Sequence, residues 1–361
     1  MTDLNTSTEA TITDETAIGF IQGYAQVFSH RFPYRWTLKD ANFTKDKGKV
    51  FSCFACGGGS TMGYKLAGFD VIGCNEIDPK MIEAYKVNHN PKYAFLEPIQ
   101  TFKMREDLPQ ELYELDILDG SPPCSSFSMA GNREKDWGKD KVFREGQAMQ
   151  VLDTLFFDFI DLAKKLQPKV VIAENVKGLL LGDAIQYVRQ IYREFDLAGY
   201  YCQHWLLDAS KMGVPQRRER VFFIALRKDL AKPFLKQMNL FDILPEIKLE
   251  FNEPEIAIKE FAKGIPKKET QNYSVERFGD VMLDINRASK TIATDINRYW
   301  LDENTLIDKD TVSLIGSYPM DYNHLEFNNP QYLIGMSVPP VMTANIATEI
   351  YSQWLSKLER S

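Results

Sequence analysis

Four short stretches hold residue types able to do chemistry. The first is GSPPCSSFS at 120–128, where Cys124 follows two prolines and precedes a run of serines. A cysteine kept for packing usually sits among apolar residues, and this one stands in a rigid, polar turn. A displayed thiol can act as a nucleophile if its surroundings lower its pKa or accept its product. A lone cysteine is more often an inert thiol, so Cys124 needs partners to carry the reading. The second stretch, AENV at 173–176, supplies Glu174 and Asn175. An acid there could protonate or hydrogen-bond a ring nitrogen, or the pair could be an ordinary strand end with a capping Asn. The third, GVPQRRERVFFIAL at 213–226, alternates Gln216, Arg218 and Arg220. A strand's period of two points all three one way and Arg217 and Glu219 the other. Guanidiniums suit phosphate or carboxylate recognition, although a charged strand end is the plainer alternative. The fourth, FACGGGS at 54–60, has three consecutive glycines, and Glu76 lies 17 positions after Gly59. Glycines let backbone N–H groups approach a ligand, the helix that follows adds positive potential, and a strand-end carboxylate can accept ribose hydroxyls. Together these suggest a nucleoside cofactor. The spacing is not G-x-G-x-x-G, which disfavours NAD.

The elements that position these residues follow an α/β grammar from residue 47 onward. KVFSCFA reads as a strand, TMGYKLAGF as the start of a helix, DVIGCNE as a strand and PKMIEAYKVNH as a helix opened by proline. LDILDGSPP is a strand running into Cys124, MQVLDTLFFDFIDLAKKL has helical spacing, KVVIAENV is a buried strand and DAIQYVRQIYREFDLAG is a helix ending in glycine. YCQHWLLDA and RVFFIAL are further strands. This alternation predicts a mostly parallel sheet covered by helices, with each chemical stretch at a strand's carboxyl end, where open α/β sheets bind ligands. After about residue 227 the alternation fails. A small irregular domain is expected over 227–325, with 326–361 returning to the 47–226 domain through a helix from about 339. Residues 1–46 form an N-terminal extension whose first 16 read as disordered. The aromatics of 17–46 are expected to pack, in a role the sequence does not reveal.

Composition excludes several classes. The 361 residues are 44% hydrophobic and 26% charged, the profile of a globular protein with a sizeable core. Apolar runs are too short to span a bilayer. The acidic start lacks the features of a signal peptide, so a cytosolic protein is expected. Five cysteines argue against a disulfide framework, and Cys53 and Cys56 lack the partners a zinc site needs, so no metal is expected. The net charge of −7 is not that of a non-specific nucleic-acid binder, yet a local basic strip can still bind phosphates.

The order of the motifs is more informative than any one of them. Glycine loop, strand-end Glu76, SPPCSSFS, ENV and QRRER, in that order, resemble the cytosine-5 DNA methyltransferase family. SLIGSYPMDYNH at 313–324 and GMSVPP at 335–340 are similar to its closing motifs, so the likeness covers about 50–226 and 286–361. The resemblance implies a Rossmann-like class I methyltransferase sheet, and a target-recognition domain in the irregular stretch. It also implies methyl transfer from S-adenosylmethionine to C5 of a cytosine flipped out of duplex DNA. It makes Cys124 the nucleophile, Glu174 the group on cytosine N3, Arg220 the partner of cytosine O2 and of Glu174, and Arg218 a positioner of the base or a phosphate. Cofactor contacts are implied for Phe54, Ala55, Gly57, Gly58, Gly59, Glu76, Ile77, Ile99, Pro122, Leu155, Ser337 and Val338. Substrate contacts are implied for Pro123, Ser125, Ser126, Phe127, Ser128, Asn175, Val176 and Gln216. The loop 125–145, with Gly131, Arg133 and Gly138, is the expected element closing over DNA. A monomer is expected, with a cognate restriction endonuclease as possible company.

The departures from the family pattern all fall on the cofactor side. Ser52 stands where the family has an acidic residue, Pro98 where many members have an Asp, and Met336 where an Asn is usual. They raise the expectation of a loosely held cofactor or of compensating contacts. The alternatives are the same chemistry on tRNA and a DNA binder without activity. The tRNA branch carries a Cys-Phe-Thr signature in its target domain, and no cysteine follows Cys202. A pure binder would have no use for Cys124, Glu174 and Arg220 together.

Overall fold

The structure is a computed structural model that describes residues 30–123, 140–141, 150–151, 154–182, 184–237, 243–265, 279–294, 298–302, 304–325 and 330–358. The polar stretch 1–16, Cys124, Ser125, Ser126, Phe127, Ser128 and nearly all of the loop 125–145 lie outside the described residues.

Seven strands form the central sheet: β1 Lys49–Cys53, β2 Asp70–Glu76, β3 Tyr93–Leu96, β4 Ile117–Gly120, β5 Val170–Val176, β6 Tyr200–Asp208 and β7 Glu219–Arg227. Their spatial order is β3-β2-β1-β4-β5-β7-β6. All neighbours pair in parallel except β7, which runs antiparallel to both β5 and β6. The expected mostly parallel sheet is therefore present, with one reversed strand. The order turns outward on either side of β1 and β4, and this switch point faces the carboxyl ends of both strands.

Alternation along each strand separates two apolar layers. Phe51, Leu118, Val171 and Phe223 face α4 (Leu155–Leu166) and α5 (Ala184–Leu197). Val50, Ile117, Ile172 and Ile224 face α1 (Gly59–Leu66) and α8 (Pro340–Ile350). Helix α2 spans Pro79–His89 as its start and stop signals imply: Asp78 caps Lys80 N–H at 2.8 Å, and Asn90 ends it in the left-handed region. Helix α4 starts later than the sequence pattern suggested. Residues 150–151 are drawn into a two-residue ribbon with 140–141, which leaves the helix to begin at Leu155.

The stretch after β7 divides by packing. Phe234, Ile247 and Leu249 join the sheet's second layer, where Trp354 Nε1 donates to the Glu246 carbonyl at 2.8 Å. A separate apolar cluster begins at Ile256 and includes Phe261, Leu283, Ile292, Tyr299 and α6 (Lys309–Ile315). Tyr34 packs in that cluster, and Trp36 Nε1 donates to the Ser317 carbonyl at 2.9 Å. The N-terminal aromatics thus brace the irregular part and the 317–322 segment. No helix among the described residues is long and apolar enough to cross a membrane.

Candidate active site

Strands β4 and β5 end side by side, with Gly120 in register with Ala173. From β4 the chain runs through Ser121, Pro122 and Pro123 into Cys124. The turn is tied to β5, because Asn175 Nδ2 donates to the Pro122 carbonyl at 3.1 Å. The backbone N–H of Val176 donates to Asn175 Oδ1 at 2.9 Å, which fixes the amide. One residue earlier, Glu174 Oε1 meets Arg220 Nε at 2.9 Å, with the side chains 12% and 15% exposed. The antiparallel register explains the pairing. Val176 lies opposite Arg220 and Glu174 opposite Phe222, so Glu174 and Arg220 are diagonal neighbours on one face. Burial lowers the Arg220 pKa and the facing Glu174 charge works against that. A pair this dry is costly to break from one side, because the survivor keeps its desolvation cost.

The other two residues of the alternating set behave differently. Arg218 is 2% exposed, and its guanidinium donates to the carbonyls of Gly335 at 2.8 Å, Ser337 at 2.9 Å and Ile292 at 3.4 Å. Burial brings its pKa down to about 9. The expectation that Arg218 reaches a base or a phosphate is corrected: its donors hold the 335–337 segment against the irregular part. Gln216 is similarly committed. Its Nε2 donates to the Ile315 carbonyl at 3.2 Å, and its Oε1 accepts from Ile292 N–H at 3.2 Å. A side chain bonded at both ends and 1% exposed offers nothing to a substrate. Gln216 and Arg218 precede β7, which begins at Glu219, so the strand period of two applies to Arg220 alone. Only Arg220 is free to face the site.

On the cofactor side, the loop 54–58 joins β1 to α1 under strain. Phe54, Cys56 and Gly58 have φ of 52°, 46° and 87°. Left-handed backbone at non-glycine residues costs energy and persists only where surrounding contacts hold it. Those contacts are present. Cys56 N–H donates to Glu76 Oε2 at 2.7 Å, Tyr322 OH donates to the Gly57 carbonyl at 2.6 Å, and His89 Nε2 lies 3.1 Å from the same oxygen. Burial drives the His89 pKa down to about 3, so the imidazole is neutral and its Nε2–H can donate. Gly58 needs its missing side chain, since a Cβ there would sit 2.2 Å from His89 Nε2. At Gly59 a Cβ would meet the Val338 carbonyl at 2.4 Å, which is how closely the 335–340 segment approaches α1.

Glu76 ends β2 beside this loop and is 6% exposed. Burial raises its pKa, and donors from the backbone of Asp78, Cys56 and Ile77 oppose the rise. Three N–H bonds leave capacity on a carboxylate that can accept about four. The helix cap Gly58 makes no side-chain bond and no acidic residue occupies the first turn of α1, so its N-terminal donors can serve a ligand. Phe54 and Ile77 are partly exposed beside them. Two expected contacts, Ile99 and Leu155, are corrected by burial: they are 2% and 0% exposed within the main core. Ser337 is 5% exposed and donates to the Leu333 carbonyl at 2.7 Å, and Val338, also 5% exposed, packs in the second layer.

The Ser52 departure has a structural answer. Ser52 is in register with Asp119 on β4, and its hydroxyl donates to Asp119 Oδ2 at 2.7 Å. The acidic group is present one strand over. Sequence reading missed Asp119, His89 and Tyr322. The available signal for Asp119 was a charge at an inward position of the buried strand LDILDG. The other two needed the fold, since both act through contacts distant in sequence. Among the described residues no group of side chains is placed to hold a metal ion.

A family model for the C-5 cytosine-specific DNA methylase matches residues 48–326, most of the chain, including Glu76, Asp119, Glu174 and Arg220. The chain belongs to the C-5 cytosine-specific DNA methylase family. Among curated relatives it is 38% identical over 183 residues to the type II methyltransferase M.FnuDI of Fusobacterium nucleatum, covering 50% of this chain and 48% of that protein. To the type II methyltransferase M.NgoPII of Neisseria gonorrhoeae it is 37% identical over 186 residues, covering 52% and 50%. The chain thus spans about half the length of these curated relatives. An E. coli prophage-encoded protein, described as a DNA modification methyltransferase, shares the fold in its crystal structure. That likeness has a TM-score of 0.59 at 20% identity and covers 84% of this chain and 99% of that one. The methylase sheet of this family is therefore the frame on which Glu174 and Arg220 stand.

Proposed function

We propose that the protein is a DNA (cytosine-5)-methyltransferase that uses S-adenosylmethionine and works through a covalent bond between Cys124 and C6 of a flipped-out cytosine. The observation that carries the reading is the 2.9 Å pair of Arg220 on β7 with Glu174 on β5, the strand whose Asn175 bonds the Pro122 carbonyl two residues before Cys124. The pair supports a base-activating group beside the strand end from which the chain continues toward Cys124.

In this reading the Cys124 thiolate adds to C6. The electron pair of the C5–C6 bond moves toward C5, while Glu174 holds N3 and favours its protonation. C5 is then nucleophilic where cytosine alone is not. Arg220 binds the cytosine O2 and keeps Glu174 in its rotamer. After methylation, loss of the C5 proton restores the double bond and expels the thiolate. Bound S-adenosylmethionine supplies the electrophilic methyl group. The residues fit that group. Glu76, with its spare acceptor capacity, suits the ribose hydroxyls. The open first turn of α1 and the Phe54 and Ile77 side chains offer donors and apolar surface. A base inside a duplex is out of reach of a thiol on a loop, so the cytosine is extruded at a modest unstacking cost. Transfer of tritiated methyl groups to duplex DNA tests the proposal. Wild type is expected to label DNA, and Cys124→Ala to label none. Labelling of tRNA instead, or of nothing, would overturn it.

A further inference from the structure

Asp119 is a charged side chain, 4% exposed, in the strand that leads to Cys124. Three hydroxyls converge on it. Ser52 Oγ and Ser60 Oγ donate to Oδ2, each at 2.7 Å, and Tyr64 OH donates to Oδ1 at 3.0 Å. The placement of these donors sets Asp119 apart from an ordinary buried acid. Ser52 is the penultimate residue of β1, just before the strained loop 54–58. Ser60 is the second residue of α1, just after it, and Tyr64 is one turn further along. Both ends of the loop are therefore fastened to one carboxylate, and that carboxylate belongs to β4.

We infer that Asp119 is a positioning residue that holds the cofactor loop in its strained conformation and locks it to the strand presenting Cys124. The inference rests on the function proposed above for the identity of the ligand, not for the mechanical role. Two observations support it. Left-handed backbone at two non-glycine residues, Phe54 and Cys56, persists only where surrounding contacts hold the loop. The carboxylate is also kept there against a penalty. Burial, with a smaller push from Glu174 on the adjacent strand, leaves its pKa raised to about 6 against the pull of the three hydroxyls. The titratable groups around it are Cys53, Tyr64, Tyr85 and Glu174, and burial raises the pKa of the first three. None is a cation that would neutralise Asp119, so the hydroxyls carry the whole compensation. Charge-assisted O–H···O⁻ bonds are about twice as strong as neutral ones, which suits a fastening that must resist backbone strain.

The test uses the full-length protein and two readouts. Amide hydrogen exchange over residues 54–62, measured against β5, reports local opening of the loop without any ligand. Calorimetric titration with S-adenosylhomocysteine reports cofactor affinity. Asp119→Asn, which keeps the shape and removes the charge, and Ser60→Ala, which cuts only the tie to α1, are each expected to speed exchange over 54–62 at least fivefold. The β5 amides should stay unchanged, and affinity should fall at least fivefold. The double swap Ser52→Asp with Asp119→Ser returns a carboxylate to the same cross-strand pair and should bring both readouts back to within about twofold. Wild-type exchange and affinity in both single variants would overturn the inference. Should Asp119→Asn fail to fold, Ser60→Ala decides alone. Should wild type bind no S-adenosylhomocysteine, the proposed cofactor falls, while the exchange result still decides the role of Asp119.

Discussion

Gly58→Ala isolates how much the architecture demands of the cofactor loop. Its φ of 87° lies in the left-handed region, where an L-residue pays about 1–2 kcal/mol. The added Cβ would also fall 2.2 Å from His89 Nε2 and 3.1 Å from Tyr85 Cδ2. His89 cannot swing aside freely: it is 7% exposed, bonded to the Gly57 carbonyl, and its ring lies 4.7 Å from that of Tyr85. Overpacking of this kind costs about 1–3 kcal/mol, so the expected loss is about 2–5 kcal/mol. Gly199 provides the internal control. Its φ is 93°, yet nothing lies within 4 Å of the position its Cβ would take. Gly199→Ala therefore carries the backbone penalty alone, and the stiffer unfolded chain offsets both substitutions alike by about 0.4–1 kcal/mol. Urea unfolding of the two variants beside wild type measures the difference. Gly58→Ala should be the less stable by about 1–3 kcal/mol. Equal losses would refute the argument that His89 and the loop are locked against each other.

Removing one partner of the buried pair is expected to be expensive. Arg220→Ala should cost about 2–4 kcal/mol in urea unfolding, below the full buried-pair value because both groups retain some exposure, and Glu174→Gln should lower the methylation rate by about 10²–10⁴. Asn175→Ala should destabilise by about 1 kcal/mol and lower kcat while leaving S-adenosylhomocysteine affinity unchanged in calorimetry. Asp119 gives a pH signature with a definite sign. Its folded pKa of about 6 lies above the ordinary value of about 3.9, so its contribution to stability is full below pH 3.9 and is lost as pH rises through 6. The stability of Asp119→Asn minus that of wild type should accordingly rise by about 2 kcal/mol between pH 4 and 7.5, and a pH-independent difference would contradict the burial of its charge. Arg218→Ala should lower stability at every pH, since it strips donors from the Gly335 and Ser337 carbonyls.

The sequence was legible where a local pattern dictates a local outcome. The strand and helix alternation yielded the mostly parallel sheet, and PKMIEAYKVNH, opened by its proline, matches α2 to the residue. The diagonal contact of Glu174 and Arg220 followed from motif order, although its 2.9 Å geometry needed the antiparallel register. Arg218 and Gln216 show where such reading ends. Both were expected within the strand, yet it begins only at Glu219, and the carbonyls they satisfy lie 74 to 119 residues away in sequence. No local pattern announces those partners. The same holds for Ser52, where a missing acid read as a weakness until the fold placed Asp119 beside it. Ile99 and Leu155 failed for a related reason: apolar residues suited to a cofactor wall are equally suited to a core, and packing chose the core.

The most direct test of the central claim is nucleoside mass spectrometry of DNA from cells lacking other methyltransferases and expressing either wild type or Cys124→Ala. The expected result is 5-methyl-2′-deoxycytidine with wild type and none with the variant. Wild-type DNA with no 5-methyl-2′-deoxycytidine, or the same amount with Cys124→Ala, would contradict the account.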